Sequence, residues 1–154
     1  LARTCSRTIV VIRPDDAALA SMLAAEGIET VVCDQAEQGM GHSLSRGIAA
    51  SAEADGWLVA LADMPYIVPA SYHAVLGALQ NGASLARPAY KGKIGHPVGF
   101  SAIYRSDLLA LTGDQGGKSI LDTHQEHICL CPLDDPGVLK DIDRPSEFWP
   151  SCVN

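Results

Sequence analysis

The run Gly56-Trp57-Leu58-Val59-Ala60-Leu61-Ala62 is apolar throughout and stops at Asp63-Met64-Pro65. An extended run with no polar alternation is covered on both faces, so it belongs at the centre of a sheet between helices. The rest of the chain alternates in the same spirit. Thr8–Ile12 and Glu29–Cys33 are β-branched strands. Between them Pro14-Asp15-Asp16 starts a helix over 17–26 that Gly27 ends. Gly39-Met40-Gly41-His42 is a loop, and Ser43 to Glu53 reads as a helix. Pro69-Ala70-Ser71 opens a further helix that closes at Asn81-Gly82. Then come a strand over 83–90, a turn at Lys91-Gly92-Lys93, and an extended segment over 96–101. Helices follow over 104–111 and 119–124, with a strand over 127–133 and a last helical turn after Pro145. Repeated strand–helix alternation with short connections predicts an α/β sandwich with a mainly parallel sheet. Ligands of such sheets bind beyond the carboxyl ends of the strands, which selects the loops at 39–43 and 63–65.

A chain of 154 residues suffices for a single domain, read as 1–154 without linker or repeat. Its net charge of −7, with no Lys/Arg cluster, argues against DNA or RNA as a partner. A small phosphorylated ligand remains compatible, since backbone N–H groups and a metal can hold it. Cys5, Cys33, Cys129, Cys131 and Cys152 are odd in number and form no CxxC, the usage of a reducing compartment and hence a cytoplasmic protein. A zinc site on Cys129 and Cys131 is the lesser alternative to chance alternation on one strand face. No apolar run is long enough for a bilayer, so no membrane partner is expected. The opening residues do not form a signal peptide.

Five segments can carry chemistry. Asp63 follows the apolar run directly and is checked by Pro65, a position from which a carboxylate either holds a hard cation or caps the turn. Asp141 and Asp143 alternate, so their carboxylates share a face; they either flank a cation or form a solvated acidic turn. Gly39 and Gly41 let a ligand approach the backbone, while Ser43 either caps the next helix or bonds a nucleotide. Gly95-His96-Pro97 offers an imidazole that either meets a phosphate or lies in an ordinary surface turn. Gly113-Asp114-Gln115-Gly116-Gly117-Lys118 is either a plain helix connection or a ligand loop carrying one cation.

The order of these segments is more telling than any one of them. GMGHSL, LVALADMP, GHPVGFS, TGDQGGKSIL and GVLKDIDRP together resemble the molybdenum cofactor cytidylyltransferases of the MobA-like NTP transferase family, from about Thr8 to Phe148. The resemblance implies a Rossmann-like three-layer fold of the nucleotide-diphospho-sugar transferase type. It implies transfer of CMP from CTP to the molybdopterin cofactor with release of pyrophosphate, aided by Mg²⁺. Asp63 and Asp143 then correspond to the catalytic metal ligands, with Asp141 as a helper. Gly39, Gly41, Ser43 and Asp63 correspond to nucleotide-binding positions. Gly95, His96, Pro97, Asp114 and Lys118 correspond to the stretches facing the pterin substrate. A molybdenum hydroxylase or its chaperone is the implied protein partner.

The chain departs from that pattern at its start. Family members open with a strand and a Gly-rich loop of the form LAAGxSxRxG; this sequence begins at what resembles the second strand. The first strand and loop are thus expected to be lacking, and the chain as written to turn over poorly or not at all. Arg144 stands where Thr is usual, and Lys93 where Arg is common. Three other readings compete. A guanylyl or other MobA-like transferase would differ in its nucleotide. A non-catalytic module that holds and delivers the cofactor would not need paired acids. A metal hydrolase ranks last, because no water-activating His cluster stands out.

Overall fold

The computed structural model describes residues 4–144. In chain order the strands are β1 (Ile9–Ile12), β2 (Glu29–Val32), β3 (Gly56–Val59), β4 (Leu85–Tyr90), β5 (Lys93–Ile94), β6 (Val98–Ser101) and β7 (Ile128–Pro132). The helices are α1 (Ala17–Ala25), α2 (Met40–Ala49), α3 (Pro69–Gln80), α4 (Arg105–Leu109) and α5 (Lys118–Thr123). The last helical turn expected after Pro145 lies outside the described residues. The chain divides into two compact units, Leu1–Trp57 with Ser101–Ile128 and Leu58–Phe100 with Cys129–Asn154.

In the first unit β1 and β2 pair in parallel, from Ile9 opposite Glu29 to Ile12 opposite Val32. Helix α1 supplies the crossover that a parallel pair requires. Helix α2 packs against β1 and α4, and its Ile48 is 2 % exposed. Helix α2 begins at Met40 rather than at Ser43, because Gly39 takes the N-cap position with φ 126°.

The second unit is built on a five-stranded sheet in the order β3-β6-β4-β5, with β7 also pairing β4. The expectation of a mainly parallel sheet is overturned here. Strand β4 runs antiparallel to both β5 and β6. The cause is connection length. Lys91 and Gly92, with φ 47° and 79°, form the tight turn of a hairpin between Tyr90 and Lys93. Two such residues suit a primed hairpin turn, whereas a parallel return needs about a dozen residues.

Strand β3 also departs from expectation. It is shorter than the apolar run and stands at the end of the strand order among the described residues. Beyond Val59 the apolar residues serve packing rather than pairing: Ala60 and Leu61 lie against a cluster of Met64, Ile67, Tyr72 and Val138. Helix α3 has Pro69 in its first turn and no cap from its own N-terminal side chains. Asp135, 4 % exposed, supplies that cap from far along the chain. Its carboxylate accepts from the Val68 N–H at 3.1 Å, the Ser71 hydroxyl at 2.6 Å and the Gly137 N–H at 2.9 Å. The start of α3 is thereby fastened to the segment that follows β7. No helix among the described residues is long and apolar enough to cross a membrane.

Candidate active site

Asp135 starts the tight turn Pro136–Leu139, which precedes the acidic segment Asp141–Asp143. Gly137 lies so close to the Tyr66 carbonyl that a Cβ would overlap it. The Val138 carbonyl accepts the His96 N–H at 2.9 Å. Lys140 then extends over the Tyr66 ring, its ammonium 4.2 Å from the ring centre. The Ile142 N–H finally donates to the Asp63 carbonyl at 2.8 Å. Asp63 and Asp143, eighty positions apart in numbering, are therefore tied into one local structure through the residue beside Asp143. Asp63, Asp141 and Asp143 are exposed while Ile142 is partly buried, the alternation expected of acids sharing a face.

Gly95-His96-Pro97 joins the same region. The Gly95 N–H donates to the Pro88 carbonyl at 2.9 Å, and Arg87 donates from Nε to the Gly95 carbonyl at 3.2 Å. A Cβ on Gly95 would run into the Val138 carbonyl, so only glycine fits. Burial pushes the His96 imidazole below its ordinary pKa; nearby Arg87 pushes the same way, and Asp63 opposes them. Its Nδ1 is buried without a hydrogen-bond partner. Desolvation thus favours the neutral imidazole over the cation. Carboxylate oxygens are the ligand type that hard divalent ions take.

Gly39, Gly41, Ser43, Asp114 and Lys118 lie in the first unit, where Gly39 and Gly41 meet the segment that carries Asp114. A Cβ on Gly39 would overlap the Gly113 carbonyl group and come within 2.6 Å of an Asp114 carboxylate oxygen. Gly41 faces the Thr112 carbonyl in the same manner. The two glycine-rich segments therefore stack backbone on backbone. Ser43 sits inside the first turns of α2, so capping is not its role. Asp114 and Lys118 are exposed. Beside α2, at the carboxyl end of β2, opens a cleft of about 450 Å³ lined by Cys33, Asp34, His42, Ser45 and Arg46.

Residues 1–128 match the MobA-like NTP transferase domain family. The chain belongs to that family. Asp141 and Asp143 lie beyond the matched residues. The purine catabolism protein PucB of Bacillus subtilis (strain 168) is 33% identical over 120 residues, which cover 76% of this chain and 58% of PucB. The chain thus spans little more than half the length of that relative. Among solved structures, Rv0371c from Mycobacterium tuberculosis H37Rv superposes with a TM-score of 0.79 at 23% identity, covering 96% of this chain and 77% of Rv0371c. Rv0371c has also been solved in complex with manganese. A nucleotidyl transferase from Methanothermobacter thermautotroptrophicus, Mth528, gives a TM-score of 0.74 at 24% identity over 93% of this chain and 70% of its own. These structures share the fold.

The sequence missed several neighbours of the site. Arg87 was hidden in an apolar strand, and Lys140 was overlooked beside the acids it precedes. Asp135-Pro136-Gly137 carried a legible turn signal, an Asp cap followed by proline. A cluster with two imidazoles was missed as well. Among the described residues only His124, Glu126 and His127 bring three metal-ligating atoms within 4.8 Å of one another; Asp63, Asp141 and Asp143 are more open, and Cys129 and Cys131 join no such group.

Proposed function

We propose that this chain carries the metal-binding and substrate-binding positions of a cytidylyltransferase, an enzyme that moves CMP from CTP to the molybdopterin cofactor. The observation that supports the reading is the 2.8 Å bond from the Ile142 N–H to the Asp63 carbonyl, which ties the backbone next to Asp143 to the acid that ends the apolar run. A phosphate oxygen of the cofactor attacks the α-phosphorus of CTP, the bond to the β-phosphate breaks, and pyrophosphate leaves. No covalent intermediate on the protein is needed. Asp63 and Asp143 would hold Mg²⁺ or Mn²⁺, which would neutralise phosphate charge, and Asp141 would assist. Gly39, Gly41 and Ser43 contact the nucleotide, with the start of α2 offering backbone N–H donors. Gly95, His96 and Pro97 are assigned to the pterin, His96 as a neutral imidazole, and resemblance alone assigns Asp114 and Lys118 to pterin recognition. A molybdenum hydroxylase or its chaperone is the proposed acceptor of the product.

Competition among CTP, GTP and ATP for the chain, with Mn²⁺ present, tests the nucleotide. Tighter binding of CTP is expected. Preference for GTP would instead make this a guanylyl transferase. In parallel, Asp63→Ala is expected to weaken nucleotide binding and spare pterin binding. A chain that binds the pterin but none of the nucleotides would be a delivery module.

A further inference from the structure

The cluster at the end of α5 has no part in the reaction just described. His124 follows α5, and the chain then tightens into the turn Gln125–His127, with the His127 N–H donating to the His124 carbonyl at 3.0 Å. That turn lays the two imidazoles face to face, 5.7 Å between ring centres and 13° apart in plane. Glu126 places a carboxylate oxygen 3.8 Å from Nε2 of His127. The other ring nitrogen of His127, Nδ1, faces the Tyr104 hydroxyl at 3.5 Å. Tyr104 is itself 4 % exposed, and its ring lies 5.2 Å from that of His124.

As a salt bridge this arrangement accomplishes little. Both members of the Glu126–His127 pair are more than half exposed, and exposed pairs at this distance are weak. As a ligand set it is well composed. We propose that His124, Glu126 and His127 form a surface site for a borderline divalent transition metal of the Zn²⁺ class. Two imidazole nitrogens and one carboxylate oxygen suit such an ion, whereas Mg²⁺ takes oxygen ligands alone. The Tyr104 hydroxyl provides the outer contact: it occupies Nδ1 of His127 and leaves Nε2, the nitrogen that faces Glu126, for the metal. Tetrahedral bonds of about 2.1 Å set ligand atoms roughly 3.4 Å apart. Glu126 and His127 are exposed and His124 is partly buried, so small side-chain rotations suffice to close the present spread of up to 4.8 Å to that spacing. A fourth position stays open to water.

The test is a calorimetric titration of ZnCl₂ into the 154-residue chain in excess Mg²⁺, so that oxygen-only sites are already occupied. X-ray absorption at the zinc edge is measured on the loaded protein. One bound zinc is expected, with two imidazoles in its shell. His124→Ala and His127→Ala should each weaken binding by at least about 10-fold, and Tyr104→Phe by about 10-fold through the outer contact. Absence of zinc binding, unchanged affinity in the double His variant, or a shell with fewer than two imidazoles would each overturn the site. Should the variants fail to fold, the absorption spectrum of the unaltered chain decides alone.

Discussion

His96 shows how one residue's surroundings set its chemistry. Burial and Arg87 hold its pKa below the ordinary 6.5, against the pull of Asp63. Below 6.5 the unfolded chain therefore takes up a proton that the folded chain refuses. Stability falls as pH drops from 6.5 to the lowered folded value and is level beneath it. Urea midpoints at neutral and mildly acidic pH should fall more for the natural chain than for His96→Gln. Equal pH dependence of the two, or an imidazole titrating above 6.5 by NMR, would contradict this. Glycines give a second contrast. Gly39→Ala forces a Cβ into the Gly113 carbonyl at a φ of 126° and should cost about 1–3 kcal/mol. Gly77→Ala, inside α3 with nothing within 4 Å, should gain up to about 1 kcal/mol. Thermal denaturation of the two variants should move in opposite directions.

Among the elements, α3 depends on an acid that its own sequence does not contain. Asp135→Ala leaves the Val68 and Gly137 N–H groups and the Ser71 hydroxyl without their acceptor. A loss of about 3 kcal/mol is expected in urea unfolding, and Asp135→Asn, which keeps one carbonyl oxygen, should lose less. A variant as stable as the natural chain would show that the cap is dispensable. The bounds of α3 were fully legible, because Pro69 starts it and Asn81-Gly82 stops it through local backbone preferences. The start of α2 is not legible from a capping side chain, since its N-cap, Gly39, has none. The direction of β4, β5 and β6 was legible in principle from the two-residue turn at Lys91-Gly92. Alternation of strands and helices obscured it, because that pattern is blind to pairing partners. Likewise the apolar run ending at Ala62 records burial, which both a sheet and a loop over a core demand.

Over the whole chain, an excess of acids leaves a net charge of −7, and the candidate chemistry concerns where a few of them are placed. Asp63 could be singled out from its position at the end of an apolar run. Its proposed partnership with Asp143 could not be read from spacing, because the approach of segments so far apart in sequence is set by tertiary packing. Resemblance proposed that partnership, and the Ile142–Asp63 bond gives it a physical basis. The stacking of Gly39 on Gly113 was likewise invisible, since neither segment encodes the other. The measurement that bears most directly on the account is Mn²⁺ binding followed by electron paramagnetic resonance in the presence of CTP. The natural chain should bind the ion, and Asp63→Asn and Asp143→Asn should each weaken it by at least about 10-fold, in keeping with the loss of one anionic ligand. Equal Mn²⁺ affinity in the natural chain and both variants would contradict the account.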